Sequence, residues 1–218
     1  MSELSFLFES IYKTKGWGSN NTPFYSGIGS HDSNIVSPYI EVIKSFFKEL
    51  KYKPNVIDIG CGDFNIGKEL VPYVNNYMAV DIVDPLIEHN KTKYKDLNVN
   101  FKTLNITQES VPLTDIIIIK ELFQHLSNKN ILKALKNMYL KSKWLIITEA
   151  IPISNFVPNL DIQSQASFRP LINNSGVDIL SPPFNFDIKE ELLTLTVKSK
   201  GIIECLSKTS IYKTKTNE

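Results

Sequence analysis

The sequence predicts an α/β domain whose doubly wound, mostly parallel sheet carries helices on both faces. Three observations predict it. Short apolar runs recur at Val56–Ile59, Tyr77–Val80, Val99–Leu104, Asp115–Ile119 and Trp144–Thr148, each too short for a buried helix. Between them lie segments with helical spacing of apolar residues, and strand, helix, strand in alternation implies parallel pairing through crossovers. A polar residue or glycine ends nearly every run, which places chemistry at the carboxyl edge of the sheet, where ligands of open α/β sheets bind.

Residues 1–34 mix aromatics and glycines, with Gly16-Trp17-Gly18 and Tyr25-Ser26-Gly27-Ile28-Gly29-Ser30 too punctuated for a regular element, and are expected to fold over as an N-terminal cap. From Pro38 to Leu50 the residues Ile40, Ile43, Phe46, Phe47 and Leu50 share one helical face, with Ser37 as N-cap. The first strand, Val56–Ile59, runs into Gly60-Cys61-Gly62 and should be followed by a helix through Leu70 and Val71. The second strand ends at Asp81 and leads to a helix over Pro85–Lys93. The third strand ends at Asn105, and the fourth at Lys120 and Glu121. A helix over Asn128–Tyr139 follows, and a fifth strand ends at Glu149. The pattern breaks over 151–186, a proline-, serine- and asparagine-rich stretch read as a long excursion covering the edge of the sheet. Leu193–Val197 and Ile203–Tyr212, separated by Lys198–Gly201, are expected to close the sheet as an antiparallel hairpin. The 218 residues therefore form one domain, and 42% hydrophobic residues suffice for its core.

Lys plus Arg number 24 against 23 for Asp plus Glu, so no net field draws in a long nucleic acid. No apolar run approaches the roughly 20 residues that cross a membrane. Two cysteines, Cys61 and Cys205, are too few for a disulfide scaffold, and the expected compartment is the reducing cytoplasm. No metal-ligating set is expected, and a homodimer is compatible with the sequence.

Glycine lets the turn Asp58-Ile59-Gly60-Cys61-Gly62-Asp63 approach a ligand closely. A dinucleotide-binding turn calls for a third glycine where Asn65 stands, and carboxylates at Asp58 and Asp63 would repel a pyrophosphate but suit a ligand with an ammonium and a sulfonium. Asp81 stands where a carboxylate accepts ribose hydroxyls, and Asn105 and Ile106 where adenine packs. Together these residues resemble the class I methyltransferases that use S-adenosylmethionine (SAM), a Rossmann-like family. The resemblance runs from Val56 to Glu149, through the glycine turn, the Asp81 strand and Asp115-Ile-Ile-Ile-Ile-Lys-Glu-Leu-Phe-Gln-His-Leu-Ser127. Ser26–Ser30, Gln124–Ser127 and Pro182–Asn185 further resemble small bacterial methyltransferases of surface-polysaccharide and small-molecule pathways.

The resemblance implies that Asp58, Gly60 and Gly62 contact the methionine part of SAM, Asp81 and Ile82 the ribose and adenine, and Asn105 and Ile106 the adenine. Lys120 is a candidate for the SAM carboxylate or an anionic acceptor. Asn105 and Asp63 depart from the commonest family residues. The expected activity is methyl transfer to a small-molecule acceptor, to oxygen of a sugar, phosphorylated metabolite or surface-polysaccharide precursor. His125 is the first candidate base for a hydroxyl acceptor, oriented by Glu121 one helical turn before it. Glu149 is a second candidate base, and the single arginine, Arg169, a candidate carboxylate or phosphate clamp. The alternatives are transfer to nitrogen of RNA or protein, and a SAM-binding partner protein without catalysis.

Overall fold

The structure, a computed structural model, describes residues 2–19, 21–200 and 204–215. A seven-stranded sheet runs through the molecule. Its strands are β1 (Asn55–Ile59), β2 (Asn76–Asp81), β3 (Val99–Thr103), β4 (Thr114–Lys120), β5 (Ser142–Pro152), β6 (Ile188–Lys200) and β7 (Glu204–Thr214), in the order β3-β2-β1-β4-β5-β7-β6. The first five pair in parallel, and β7 lies antiparallel to both β5 and β6. Among the described residues five α-helices accompany them: α1 (Glu3–Lys13), α2 (Ser33–Glu49), α3 (Asp84–Lys93), α4 (Asn128–Met138) and α5 (Arg169–Asn173).

Alternation along the strands divides the core in two. Ile57, Ile59, Ile117, Ile119, Leu145 and Ile147 pack on one face with Phe8, Ile11 and Tyr12 of α1 and Ile131, Ala134 and Leu135 of α4. Val56, Ile116, Ile118, Ile146 and Ile211 pack on the other with Tyr39, Ile43 and Phe47 of α2. Both faces of the central strands are thus covered, which is why Ile116–Ile119 reads as an unbroken apolar run. Each of those four side chains, buried to 2% exposure or less, contributes roughly 1.5–3 kcal/mol.

The architecture agrees with the sequence expectation, and four local elements differ. The N-terminal cap opens with α1, because Ser2 accepts the Ser5 amide at 3.1 Å as N-cap and Phe8, Ile11 and Tyr12 recur at helical spacing. Helix α2 starts at Ser33, not at Pro38. Asp32 caps it by accepting the Asn34 amide at 2.9 Å, and Pro38 sits inside the helix. The helix expected through Leu70 and Val71 is a pair of 3-10 turns, Gly67–Glu69 and Val71–Tyr73. The Phe64 ring occupies the space a side chain at Gly67 would need, and Pro72 lacks the amide a longer helix would use. The strands of the hairpin are longer than expected: β6 continues through Lys198, which pairs with Leu206, so no turn begins there. Gly201 and Ile203 lie outside the described residues.

Candidate functional site

A cavity of about 550 Å³ runs along the carboxyl edge of the sheet, from the residues after β3 across β1 and β4 to the start of β7. Its first end is built from the turn after β1 and the tip of β2. Gly60 and Gly62 take φ of 74° and 55°, which glycine adopts without the strain of a Cβ. That backbone leaves both residues lining the cavity. Asp81 locks the turn in place: its Oδ2 accepts the Gly62 amide at 3.2 Å and its Oδ1 the Val83 amide at 3.1 Å. A carboxylate accepts about four hydrogen bonds, so each oxygen keeps capacity toward the cavity, which Asp81 lines. Burial raises the Asp81 pKa to about 6, against the pull of these amides. Ile82, Leu104 and Ile106 give this end apolar walls.

Asn105 also lines the cavity, but its Oδ1 already accepts from the Thr107 amide at 3.0 Å and the Thr107 hydroxyl at 2.8 Å, and its Nδ2 donates to Ser2. Its side chain fixes the loop after β3, and Ile106 supplies the packing surface beside it. Asp58 points to the other face of the sheet. It accepts the Tyr77 hydroxyl at 2.9 Å and borders a separate space of about 30 Å³ behind the turn. Burial raises its pKa to about 7. Asp63 faces away from the main cavity as well. Its Oδ2 lies 2.6 Å from His31 Nε2 and accepts the Ser26 amide at 3.1 Å, while the Asp63 amide donates to Ser26 Oγ at 2.8 Å. The two carboxylates expected to greet a cationic ligand therefore do other work: Asp58 ties β1 to Tyr77 of β2, and Asp63 holds the turn and the cap together.

The second end is built on β4 and β5. Lys120 Nζ lies 3.0 Å from Glu121 Oε1 and donates to the Gly29 carbonyl at 2.8 Å. A side chain at Gly29 would fall on the Glu121 carboxylate, so the glycine lets the cap come down on it. The helical face expected to join Glu121 to His125 does not form. Glu121 has φ of 54°, which breaks the chain direction, and Phe123–His125 is a 3-10 turn. Glu149 dictates that turn: its oxygens accept the Phe123 and Gln124 amides, each at 2.8 Å. Glu149 is 2% exposed and burial raises its pKa to about 8, so it is a structural cap and not a base facing the cavity.

His125 lines the cavity with its ring fixed from two sides. Nδ1 lies 3.1 Å from the Ser167 carbonyl, which can only accept, so Nδ1 carries the proton and Nε2 the lone pair. Gln124 Nε2 lies 3.3 Å from that Nε2. Burial lowers the His125 pKa, which keeps the imidazole neutral at neutral pH. Ser167 and Gln124 thus take the orienting role expected of Glu121. The Trp17 ring packs against His125 at 5.3 Å between centroids, and its Nε1 donates to the Ala166 carbonyl at 2.9 Å. Cap and excursion therefore meet above His125. Arg169 does not reach the cavity. It is fully buried, donating to the Leu160 carbonyl, to the Leu126 carbonyl at 2.6 Å and to Asn128 Oδ1 at 2.9 Å, and so ties the excursion to the start of α4.

Sequence reasoning passed over Trp17, Gln124 and the hairpin residues Ser199, Cys205 and Ser207, all of which line the cavity. Trp17 stood between two glycines, a usable signal. Ser207 sits in an alternating strand and reaches the site only because β7 inserts beside β5, where it pairs with Ala150.

The profile of the methyltransferase domain family matches residues 56–142. No curated protein matches the chain by sequence. Among solved structures, the N-methyltransferase NodS from Bradyrhizobium japonicum WM9, in complex with S-adenosyl-L-homocysteine (SAH), superposes with a TM-score of 0.69 at 14% identity, over 98% of this chain and 99% of that one. Magnesium protoporphyrin IX methyltransferase (ChlM) from Synechocystis PCC 6803 with bound SAH gives 0.65 at 12% identity, over 97% and 98%. TehB from Haemophilus influenzae gives 0.59 at 14%, over 86% and 66%. The glycine turn, the buried Asp81 with spare acceptor capacity and the apolar walls beside it fit SAM, the cofactor of this domain. Residues 56–142 match the methyltransferase domain family, and the chain as a whole has the fold of the class I, SAM-dependent methyltransferases.

Proposed function

We propose that this protein methylates an oxygen of a small acceptor, of the class of sugars, phosphorylated metabolites or surface-polysaccharide precursors. The observation that carries the reading is the position of His125: a neutral imidazole with its lone pair on Nε2, lining the same cavity as Asp81 and the glycine turn but at the opposite end. When bound, SAM supplies a methyl group already activated by its sulfonium, so the protein's work is orientation, exclusion of water and removal of one proton. Asp81 would hold the ribose hydroxyls, the Gly60–Gly62 backbone the methionine part, and Ile82 and Ile106 the adenine. His125 Nε2, on exchanging the Gln124 amide hydrogen for that of an acceptor hydroxyl, takes the proton as the hydroxyl becomes nucleophilic, while the Ser167 carbonyl holds Nδ1–H and stabilises the imidazolium. The Trp17 to Ala166 bridge and Phe168 keep water from that end.

NodS, whose overall shape this chain shares, is an N-methyltransferase, so nitrogen is the competing acceptor atom. Calorimetry and thermal shift with SAM, SAH and a nicotinamide dinucleotide test the cofactor. Binding of SAM and SAH at micromolar Kd with a raised Tm is the expected result, and preference for the dinucleotide rejects the reading. Mass spectrometry of products from paired hydroxyl and amino acceptors then tests the atom: methyl on nitrogen alone would replace oxygen.

A further inference from the structure

The far end of the cavity has a chemistry of its own, set by the hairpin and the tip of β4. Ser207 is 5% exposed and lines the cavity, and its Oγ has no hydrogen-bond partner among the described residues. It stands beside Ala150 at the end of β5, and Ser199 and Cys205, paired across the hairpin, flank it. A hydroxyl that opens onto the cavity with no protein partner is free to donate to a ligand and to accept from it. Glu121, His125 and Cys205 line this same cavity, and the Glu121 charge acts to raise the pKa of both of the others. The cation lining the cavity among the described residues is Lys120, and it is already spent on Glu121 and the Gly29 carbonyl. Arg169, the single arginine of the chain, is buried in the body of the protein. A phosphorylated acceptor would meet a carboxylate here and no free cation.

We propose that the acceptor is uncharged and carries several hydroxyls, and that it seats on the hairpin with Ser207 Oγ and the Glu121 carboxylate binding hydroxyls adjacent to the one that His125 deprotonates. A carboxylate accepts from hydroxyls, and a serine both donates and accepts, so the pair suits neighbouring hydroxyls on one ring. Ala150, Phe168 and Leu171 offer apolar surface for the ring's carbon face. Ser207 and Glu121 are then the specificity-determining residues of the methyl-transfer reaction proposed above, on which this inference rests.

The test uses the whole protein saturated with SAH or supplied with labelled SAM. The probes are methyl glucoside, methyl mannoside and methyl galactoside, the corresponding hexose 6-phosphates, and glucosamine. Saturation-transfer NMR on the SAH complex reads binding, and label transfer reads turnover. At least one neutral glycoside is expected to bind, and each 6-phosphate to bind at least about tenfold more weakly. Ser207→Ala should weaken the bound glycoside about 3- to 10-fold with SAH affinity unchanged, the loss of one neutral hydrogen bond. Glu121→Gln should release Lys120 and narrow the discrimination against phosphate. Preference for a phosphate or for the amine overturns the proposal. So does the absence of glycoside binding to protein that binds SAH, or indifference to Ser207→Ala. Failure of SAH itself to bind would instead overturn the methyl-transfer reading.

Discussion

The two ends of the cavity are made in different ways. At the cofactor end, the polar frame of the wall lies mainly within one stretch, from the glycine turn after β1 through Asp81 to the loop at Asn105, closed by its own hydrogen bonds and by ties to Ser2, Ser5 and Ser26 of the cap and to Asn137 of α4. At the acceptor end, no stretch of chain builds the wall alone. Trp17 of the cap leans on Ala166 of the excursion, His125 is held by Ser167, and Ser207 arrives from the last strand. A cofactor common to a fold can be met by local, self-satisfied geometry. An acceptor particular to one protein is met by segments far apart in sequence, each able to change without disturbing the other end.

The comparison breaks most severely at His125. Replacing it with Ala is expected to lower turnover by roughly 10²–10⁴-fold and to leave SAH affinity within a few fold, since its contacts belong to the acceptor end. Stopped-flow or steady-state turnover beside calorimetry checks this. An equal loss of SAH affinity would merge the two ends into one unit.

Next in size is Arg169→Met, which removes the guanidinium that the Leu126 and Leu160 carbonyls and Asn128 Oδ1 share and leaves the Leu126 carbonyl without it in a buried place. The expected loss is about 3–5 kcal/mol, read as a lower Tm. Amide exchange should show where it falls: protection lost over 155–185 and retained over 56–105. Uniform loss of protection would mean that the excursion and the sheet unfold together.

Asp81→Ala is smaller and acts on the opposite end. Removing charge-assisted hydrogen bonds worth about 1.5–3 kcal/mol should weaken SAM and SAH 10- to 100-fold, with acceptor KM nearly unchanged once SAM is saturating. Because Asp81 also holds the Gly62 and Val83 amides, Asp81→Asn, which keeps one acceptor oxygen, should fall between wild type and Ala. Unaltered affinity in both variants would place the ribose elsewhere.

These differences also explain what was legible in the sequence. The strands read clearly because buried parallel strands need unbroken apolar runs, as in Ile116–Ile119, and the glycine turn and Asp81 read clearly because local geometry restricts which residues fit. Helix α1 was hidden by the glycines and aromatics that follow it, although Phe8, Ile11 and Tyr12 carry its period. Helix α2 was cut short because proline is favoured in a first turn, where Pro38 does not stand. Glu121 and His125 have helical spacing, and only the Glu149 carboxylate, arriving from β5, makes the segment a 3-10 turn instead. The same holds for Arg169: composition offers an anion clamp, and the fold turns the guanidinium inward to carbonyls that no sequence pattern marks.

The smallest predicted effect separates the ends by their protons. Burial raises Asp81 to about 6, Asp58 to about 7 and Glu149 to about 8, while it lowers His125. For the three acids the folded protein binds protons that the unfolded chain has released above its ordinary carboxylate pKa of about 4. Their contribution to stability is therefore fully present below pH about 4 and is lost as pH rises through 6, 7 and 8. His125 has the opposite sign: its lowered pKa contributes stability that is present above about 6.5 and is lost as pH falls through its folded value. Through these acids the apo protein should lose Tm progressively from pH about 4 up to about 8. Asp58→Asn should flatten that slope between pH about 4 and about 7, because the amide cannot ionise behind the turn. Ribose hydroxyls donated to Asp81 would favour its ionised form, so cofactor binding near pH 6 should release a fraction of a proton, measurable by calorimetry in buffers of different ionisation enthalpy. His125→Ala should leave that release untouched and Asp81→Asn should abolish it; release that persists in Asp81→Asn would assign the proton to the acceptor end.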